Sequence, residues 1–176
     1  MKPAIGLRQR LGSVAYYAAF FLVIWALAGL YQTRKHAGKG GAKAPAFTLQ
    51  DLSGREVSLE SFRHKKVALH FFATWCGVCK VELPSVKSVH AHLDADETLL
   101  AIAEDADDVE ALRRFAREHG LEYPILRGTP EVLRAYGVNA FPTNYYLNGD
   151  GSVDSSSTGL STRLGMELRL LAADSE

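Results

Sequence analysis

The sequence predicts an α/β domain that follows an N-terminal transmembrane helix. Residues 14–31 form an 18-residue run without charge, which is long enough to cross the hydrocarbon core of a bilayer as a helix. From residue 47 onward, short apolar runs alternate with segments of helical periodicity, a pattern typical of a sheet covered by helices. With 176 residues, the chain has room for one domain of ordinary size and a short appendage.

The first 45 residues divide into three segments. Residues 1–13 are predicted to be a short cytoplasmic tail, residues 14–31 a membrane anchor, and residues 32–45, which are rich in Gly, Ala and Lys, a flexible linker. Aromatic residues at or near the ends of the anchor favour the membrane interface. A cleaved signal peptide is the alternative, because residues 26–28 have the small-x-small pattern of a processing site. The folded domain is predicted to span residues 46–176.

The elements of the domain follow from periodicity and from turn and cap residues. Strands are predicted over residues 47–49, 56–58, 67–72, 99–103, 125–126, 143–147 and 152–156, and helices over about 79–93, 107–119, 130–136 and 163–172. Ser53-Gly54 and residues 148–151 supply hairpin turns. Ser161 is the predicted N-cap of the last helix, and Gly120 ends the second. Pro84 is expected to bend the first helix or weaken one of its turns.

The charge of the chain is divided unevenly, although its net charge is zero. No Asp or Glu precedes Asp51, whereas seven of the 20 basic residues do, which leaves 13 basic against 20 acidic residues in the remainder. The folded domain is therefore acidic, and a basic surface is what nucleic-acid binding requires. Nucleic acid is excluded as a partner.

Cys76 and Cys79 are the only cysteines of the chain, and they stand three residues apart. Two cysteines are too few for a disulfide scaffold, and a structural zinc site needs about four ligands. Covalent haem attachment requires His directly after the second cysteine, where Lys80 stands. No metal and no cofactor beyond a redox-active Cys76–Cys79 disulfide is therefore expected.

The cysteine pair lies between a predicted buried strand and a predicted helix. Cys76 at the helix N-terminus would have its thiolate stabilised by unpaired backbone N–H groups and by the helix dipole. The spacing of three places Cys79 on the same face, where it can close a disulfide. We expect Cys76 to be the exposed nucleophile and Cys79 to be the buried resolving thiol.

Residues 67–82, VALHFFATWCGVCKVE, resemble the active-site segment of the thioredoxin superfamily, and in particular its membrane-anchored TlpA/ResA/DsbE-like branch. Three further motifs of that branch are matched at residues 44–49, 54–59 and 137–143. The resemblance covers residues 44–173. It implies a thioredoxin-like fold, in which a mixed central sheet is flanked by helices.

The resemblance also implies how the site is shaped. A cis peptide bond between Phe141 and Pro142 would lie beside the disulfide, and the backbone of Phe141 would pair with an extended substrate. Trp75 would cover the edge of the site. Glu82 would accept the proton of Cys79 during exchange, or else be a solvated glutamate paired with a lysine.

Three other positions could affect the reactivity of the cysteines, and the sequence leaves the role of each open. His70 stands where thioredoxin has a buried Asp, so it either tunes the cysteines or is a hydrogen-bonded core residue. Lys80 either adds positive potential near the thiolate or only improves solubility. Val78 occupies a position where many relatives carry Pro, and this departure leaves the direction of electron flow open.

These observations predict a thiol–disulfide oxidoreductase that reduces disulfides of exported proteins, for example in cytochrome c maturation. The short N-terminal tail indicates that it stays in the cytoplasm and that the catalytic domain lies on the periplasmic side of the bacterial cytoplasmic membrane. Protein disulfides or dithiols are the expected substrates, and a membrane-embedded electron donor is the expected partner. A dithiol oxidase or isomerase is the alternative, although the 62 residues between Cys79 and Pro142 leave no room for the inserted helical domain of the oxidase branch. A copper-handling module of the same fold is less favoured, because its cysteines are separated by three residues and no His follows His119 here.

Overall fold

The computed structural model describes residues 41–105 and 107–175. The predicted cytoplasmic tail, the membrane anchor at residues 14–31 and most of the linker at residues 32–45 lie outside the described residues. Among the described residues, no helix is long and apolar enough to cross a membrane.

Strands and helices occur in the order that the sequence predicts. The strands are β1 (Thr48–Gln50), β2 (Glu56–Ser58), β3 (Lys66–Phe72), β4 (Glu97–Ala103), β5 (Ile125–Arg127), β6 (Thr143–Leu147) and β7 (Val153–Thr158). The helices are α1 (Gly77–His90), α2 (Val109–His119), α3 (Pro130–Ala135) and α4 (Arg163–Ala172), with a 3-10 turn at Leu59–Phe62. The prediction of an α/β domain is confirmed.

Five strands form a mixed sheet in the order β5-β4-β3-β6-β7, and β1 and β2 form a separate antiparallel pair. In the centre, β3 runs parallel to β4 and antiparallel to β6. His70 of β3 lies directly opposite Asn144 of β6, and Phe71 lies opposite Thr143. This register brings the end of β3, which leads to the cysteines, next to the start of β6, which follows Pro142.

Both faces of the central sheet are buried, as the apolar composition of β3 predicts. Leu69 and Phe71 pack in one cluster together with β1, the 3-10 turn and part of β4. Ala68 and Phe72 point to the other face, where they pack against α1, α2 and α4. Because side chains alternate along a strand, His70 faces the same side as Phe72 and lies beneath the helix that carries the cysteines.

The linker end and the cap of the last helix differ from the predictions. The last part of the predicted linker pairs with the domain: the N–H of Ala44 donates to the carbonyl of Gly151 at 2.9 Å, and Lys43 bridges to Ser152. The edge of β7 offers unpaired backbone groups there, which a passing segment can satisfy. In addition, the N-cap of α4 is Thr162 and not Ser161, because the Thr162 side chain accepts the N–H of Gly165 at 3.2 Å.

Helix α1 begins at Gly77 and ends at His90, earlier at both ends than predicted. It starts early because Cys76 itself is the N-cap residue: its sulfur accepts the N–H of Cys79. The helix continues through Pro84, which lies on its exposed side.

Candidate active site

The two cysteines are joined by a disulfide at the start of α1, with their Cα atoms 5.2 Å apart. Cys79 is fully buried, and Cys76 keeps 6% of its surface exposed. The loop that connects β3 to Cys76 is held by Asp105, whose carboxylate accepts both the backbone N–H and the hydroxyl of Thr74. Cys76 is thus the less buried of the two cysteines, although it is not exposed as predicted, because the Phe141 carbonyl lies 3.6 Å from its sulfur.

The electrostatic surroundings of Cys76 suit a thiolate. Its sulfur accepts the N–H of Cys79 at 3.1 Å, and it lies at the N-terminus of the 14-residue helix α1. The partial positive charge of a helix N-terminus stabilises an anion at this place. In the reduced protein, Cys76 is thus the sulfur that is favoured to ionise.

The rim of the site is formed by residues far apart in sequence. The Phe141–Pro142 peptide bond is cis, and the carbonyl oxygen of Phe141 lies 3.6 Å from the sulfur of Cys76. The ring of Trp75 is 65% exposed and meets the ring of Phe141 edge to face at 5.9 Å. The Trp75 indole N–H donates to Glu104 at 3.3 Å. An exposed aromatic wall and a backbone carbonyl thus stand beside the reactive sulfur.

Glu82 lies one helical turn beyond Cys79 and is fully buried. One carboxylate oxygen, Oε1, accepts the backbone N–H of Ser161 at 2.6 Å and the side-chain amide of Asn144 at 3.4 Å. These hydrogen bonds favour the ionised form, but burial outweighs them and raises the pKa of Glu82 to about 7. A carboxyl group with this pKa can take up or release a proton near neutral pH.

His70 is buried beneath Glu82 and is neutral at pH 7. Burial lowers the pKa of His70 to about 4, although its hydrogen bond with Asn144 opposes this shift. Its Nδ1 lies 2.8 Å from the side-chain oxygen of Asn144 and 3.6 Å from Glu82 Oε2. Because an amide oxygen only accepts hydrogen bonds, Nδ1 carries the proton. The close approach to Glu82 is therefore not an ion pair between two charged groups at neutral pH.

The structure brings most of the predicted site residues together in two layers. In the outer layer Trp75 is exposed and Phe141 is half-buried, and Cys76 and Pro142 lie beside them with little exposed surface. Cys79 is buried behind Cys76, and Glu82 and His70 lie in the interior, so Glu82 is not the solvated glutamate of the alternative interpretation. Lys80 is exposed on α1.

Two residues of the buried layer were missed in the sequence. Asn144 carries the hydrogen bonds between His70 and Glu82, and Ser161 gives its backbone N–H to Glu82. Asn144 is the second residue of the strand predicted at residues 143–147, and a polar residue on a buried strand was the available signal for it. Ser161 gave no such signal, because a backbone N–H is common to almost every residue type.

Comparison with known proteins identifies the family. Residues 41–156 match the model of the AhpC/TSA family. The chain belongs to this family. It is 30% identical over 139 residues to the thiol-disulfide oxidoreductase ResA of Bacillus thuringiensis subsp. konkukian (strain 97-27), covering 78% of this chain and 80% of that protein. It is 34% identical over 148 residues to the thioredoxin-like protein YneN of Bacillus subtilis (strain 168), covering 80% and 86%.

This AhpC/TSA family member is also similar in fold to a solved structure. A putative thiol:disulfide interchange protein DsbE from Chlorobium tepidum superposes with a TM-score of 0.69 at 28% identity, covering 75% of this chain and 95% of that one. The predictions of a thioredoxin-like fold and of a thiol–disulfide oxidoreductase are confirmed. The Cys76–Cys79 disulfide lies at the start of α1, where the sequence predicts the redox-active pair.

The raised pKa of Glu82 predicts a pH-dependent effect of Glu82→Gln on stability. The folded protein holds the Glu82 proton up to about pH 7, whereas the unfolded chain loses it near the ordinary value of 4.5. The wild-type protein therefore loses stability relative to the variant as pH rises from about 4.5 to about 7, and the difference is constant above that range. Thermal unfolding of both proteins between pH 4 and 8 measures this difference.

The matched control is Glu118→Gln, which replaces an exposed glutamate of α2. We expect its difference from wild type to stay flat across the same pH range. A flat difference for Glu82→Gln as well would contradict the burial-raised pKa.

Proposed function

We propose that this protein reduces disulfides of exported proteins from the outer face of a bacterial cytoplasmic membrane, to which residues 14–31 anchor it. The observation that carries the proposal is the division between the two cysteines. Cys76 keeps 6% of its surface exposed and lies at a helix N-terminus, whereas Cys79 is fully buried, with the carboxyl group of Glu82 one turn away. A reductase needs this division, since one sulfur must attack the partner and the other must release it.

The reaction proceeds in two exchanges. The thiolate of Cys76 attacks one sulfur of the partner's disulfide, so that a mixed disulfide forms and the partner's other sulfur leaves as a thiolate. Cys79 then transfers its proton to Glu82 and attacks the sulfur of Cys76. The mixed disulfide breaks, the Cys76–Cys79 disulfide forms, and the partner's second sulfur leaves. The partner has then gained two electrons from the protein. A dithiol of a membrane-embedded donor reduces the Cys76–Cys79 disulfide again and is itself oxidised to a disulfide.

The surface around Cys76 supports a protein substrate. Trp75, Val78 and Val81 are exposed apolar side chains on or before the first turns of α1, and such side chains contribute much of the energy of protein association. The carbonyl of Phe141 next to Cys76 can accept a hydrogen bond from an extended chain. Such a surface suits a substrate that is extended and partly apolar. Disulfide-bonded segments of unfolded exported proteins, such as apocytochrome c, are of this kind.

Reduction is favoured over oxidation because the stretch between the cysteines and Pro142 leaves no room for the inserted helical domain of the oxidase branch. After α1, that stretch holds β4, α2, β5 and α3, which are elements of the basic sheet and its helical layers. The copper-handling alternative is less favoured on the cysteine spacing and the position of the last histidine.

The assigned roles predict different trapping behaviour for the two cysteine variants. In Cys79→Ser, Cys76 still attacks but no resolving thiol follows, so mixed disulfides with exported proteins accumulate. In Cys76→Ser, the remaining cysteine is fully buried, so no adducts form. Both full-length variants are expressed in a bacterium, free thiols are alkylated, and adducts are counted on non-reducing gels. Adducts from Cys76→Ser, or none from either variant, would refute the assignment.

The direction of electron flow is tested by the reduction potential of the full-length protein in glutathione buffers. A reductase requires a potential near that of thioredoxin, about −270 mV, whereas a strong oxidant lies near about −120 mV. We expect a value of about −250 mV or lower. A potential close to the oxidant's value would support the oxidase alternative and reject the proposal.

A further inference from the structure

Three separate parts of the chain converge on Glu82 beneath α1. His70 comes from β3, Asn144 from β6, and Ser161 from the loop before α4. His70, Asn144 and Glu82 are each at least 97% buried. A buried polar network of this kind is costly unless its members are satisfied, so each hydrogen bond constrains the next.

The orientation of Asn144 is the variable in this network. Its side-chain oxygen accepts from His70 Nδ1 at 2.8 Å, and its NH₂ group donates to Glu82 and to the hydroxyl of Ser161, each at 3.4 Å. An amide that rotates by 180° exchanges oxygen and nitrogen, and its oxygen would then face the carboxylate of Glu82. Two acceptors in contact repel each other, and the same rotation would turn the NH₂ group toward the Nδ1–H of His70, so the hydrogen bond from His70 adds to the preference for the observed orientation.

We propose that His70 is a positioning residue of the resolving step: it holds Asn144 with its NH₂ group toward Glu82, which keeps Glu82 able to accept the Cys79 proton near neutral pH. The inference rests on the proposed role of Glu82. His70 acts as a neutral hydrogen-bond donor, which agrees with its burial and with the lowering of its pKa to about 4. It touches neither the substrate nor the cysteines in this role.

The other groups that face Glu82 do not titrate in the relevant range. Tyr123, before β5, and Tyr146, on β6, both interact electrostatically with Glu82, and burial raises the pKa of each tyrosine above its usual value of 10.0. The guanidinium of Arg169 of α4 lies 5.9 Å from the centroid of the Tyr146 ring. Between pH 5 and 9, Glu82 and the thiols therefore determine the pH dependence of the resolving step.

The two exchanges can be followed separately with 5,5′-dithiobis(2-nitrobenzoic acid), a small aromatic disulfide. The attack of reduced Cys76 releases one coloured thiolate, and the attack of Cys79 on the mixed disulfide releases the second. Stopped-flow absorbance of the full-length protein between pH 5 and 9 gives both rates. In the wild type, the second release should speed up with pH through a midpoint of about 7, where Glu82 ionises.

His70→Phe removes the donor but keeps a ring that can stack on Phe72, as the imidazole does at 5.6 Å. Without an oriented Asn144, Glu82 is harder to ionise. We expect the midpoint of the second release to rise by about one pH unit, which slows it about fivefold at pH 7. The first release should keep its wild-type rate. Asn144→Ala removes the same hydrogen bond from the other side and should shift the midpoint in the same direction.

Two variants separate positioning from packing. His70→Asn places an amide N–H near the site of Nδ1 and should restore a midpoint within a few tenths of a unit of the wild type. Leu69→Val alters the same strand on the opposite face of the sheet and should leave both releases unshifted. The inference is overturned if the midpoint of the second release in His70→Phe equals that of the wild type, or if the midpoint shifts by the same amount in His70→Phe and His70→Asn. It is also overturned if His70→Phe slows both releases to the same extent.

Glu82→Gln distinguishes failure of this inference from failure of the proposed function. If the rate of the second release no longer rises with pH near 7 in Glu82→Gln, but its midpoint in His70→Phe equals that of the wild type, only the role of His70 is rejected. A rise that persists in Glu82→Gln rejects Glu82 as the proton acceptor, and the inference about His70 with it.

Discussion

The burial of the Glu82 carboxyl group beneath the cysteine helix is the constraint on which the rest of the site depends. A carboxyl group without exposed surface is unfavourable in its charged form, and hydrogen bonds from Ser161 and Asn144 offset part of that cost. The balance leaves its pKa about 7, between the pKa of an ordinary glutamate and that of an ordinary thiol. Perturbed groups of this kind concentrate at functional sites, and this one lies one helical turn from the buried sulfur of Cys79.

The sheet register connects this interior group to the surface. Strand β3 ends at the loop that carries Cys76 and has His70 at its middle, and β6 starts after Pro142 and has Asn144 near its middle. His70 and Asn144 lie opposite each other in the pairing of β3 with β6. The same pairing therefore positions the buried network and brings the Cys76 loop next to Pro142 at the rim. A slip by one residue would turn either side chain to the opposite face of the sheet.

Much of this arrangement could be predicted from the sequence, because its signals are local. Apolar runs predicted the buried strands, helical periodicity predicted the helices, and the Cys-x-x-Cys spacing predicted the reactive pair. The contacts of Glu82 are not local: its partners Asn144 and Ser161 are 62 and 79 residues away. Ser161 was expected to cap α4, but the Thr162 side chain does so, and the backbone N–H of Ser161 donates to the carboxylate of Glu82. The pairing of Lys43 with Ser152 was equally hidden, since a Gly- and Lys-rich segment has no apolar periodicity.

The account is tested most directly by observing the ionisation of Glu82 itself. The ¹³C chemical shift of its side-chain carboxyl carbon, followed by NMR from pH 3 to 9 in the disulfide-bonded protein, reports the protonation of this one group. The account predicts a midpoint of about 7. A midpoint near the ordinary value of 4.5 would contradict it, because Glu82 would then be fully ionised at neutral pH and a poor acceptor for the proton of Cys79.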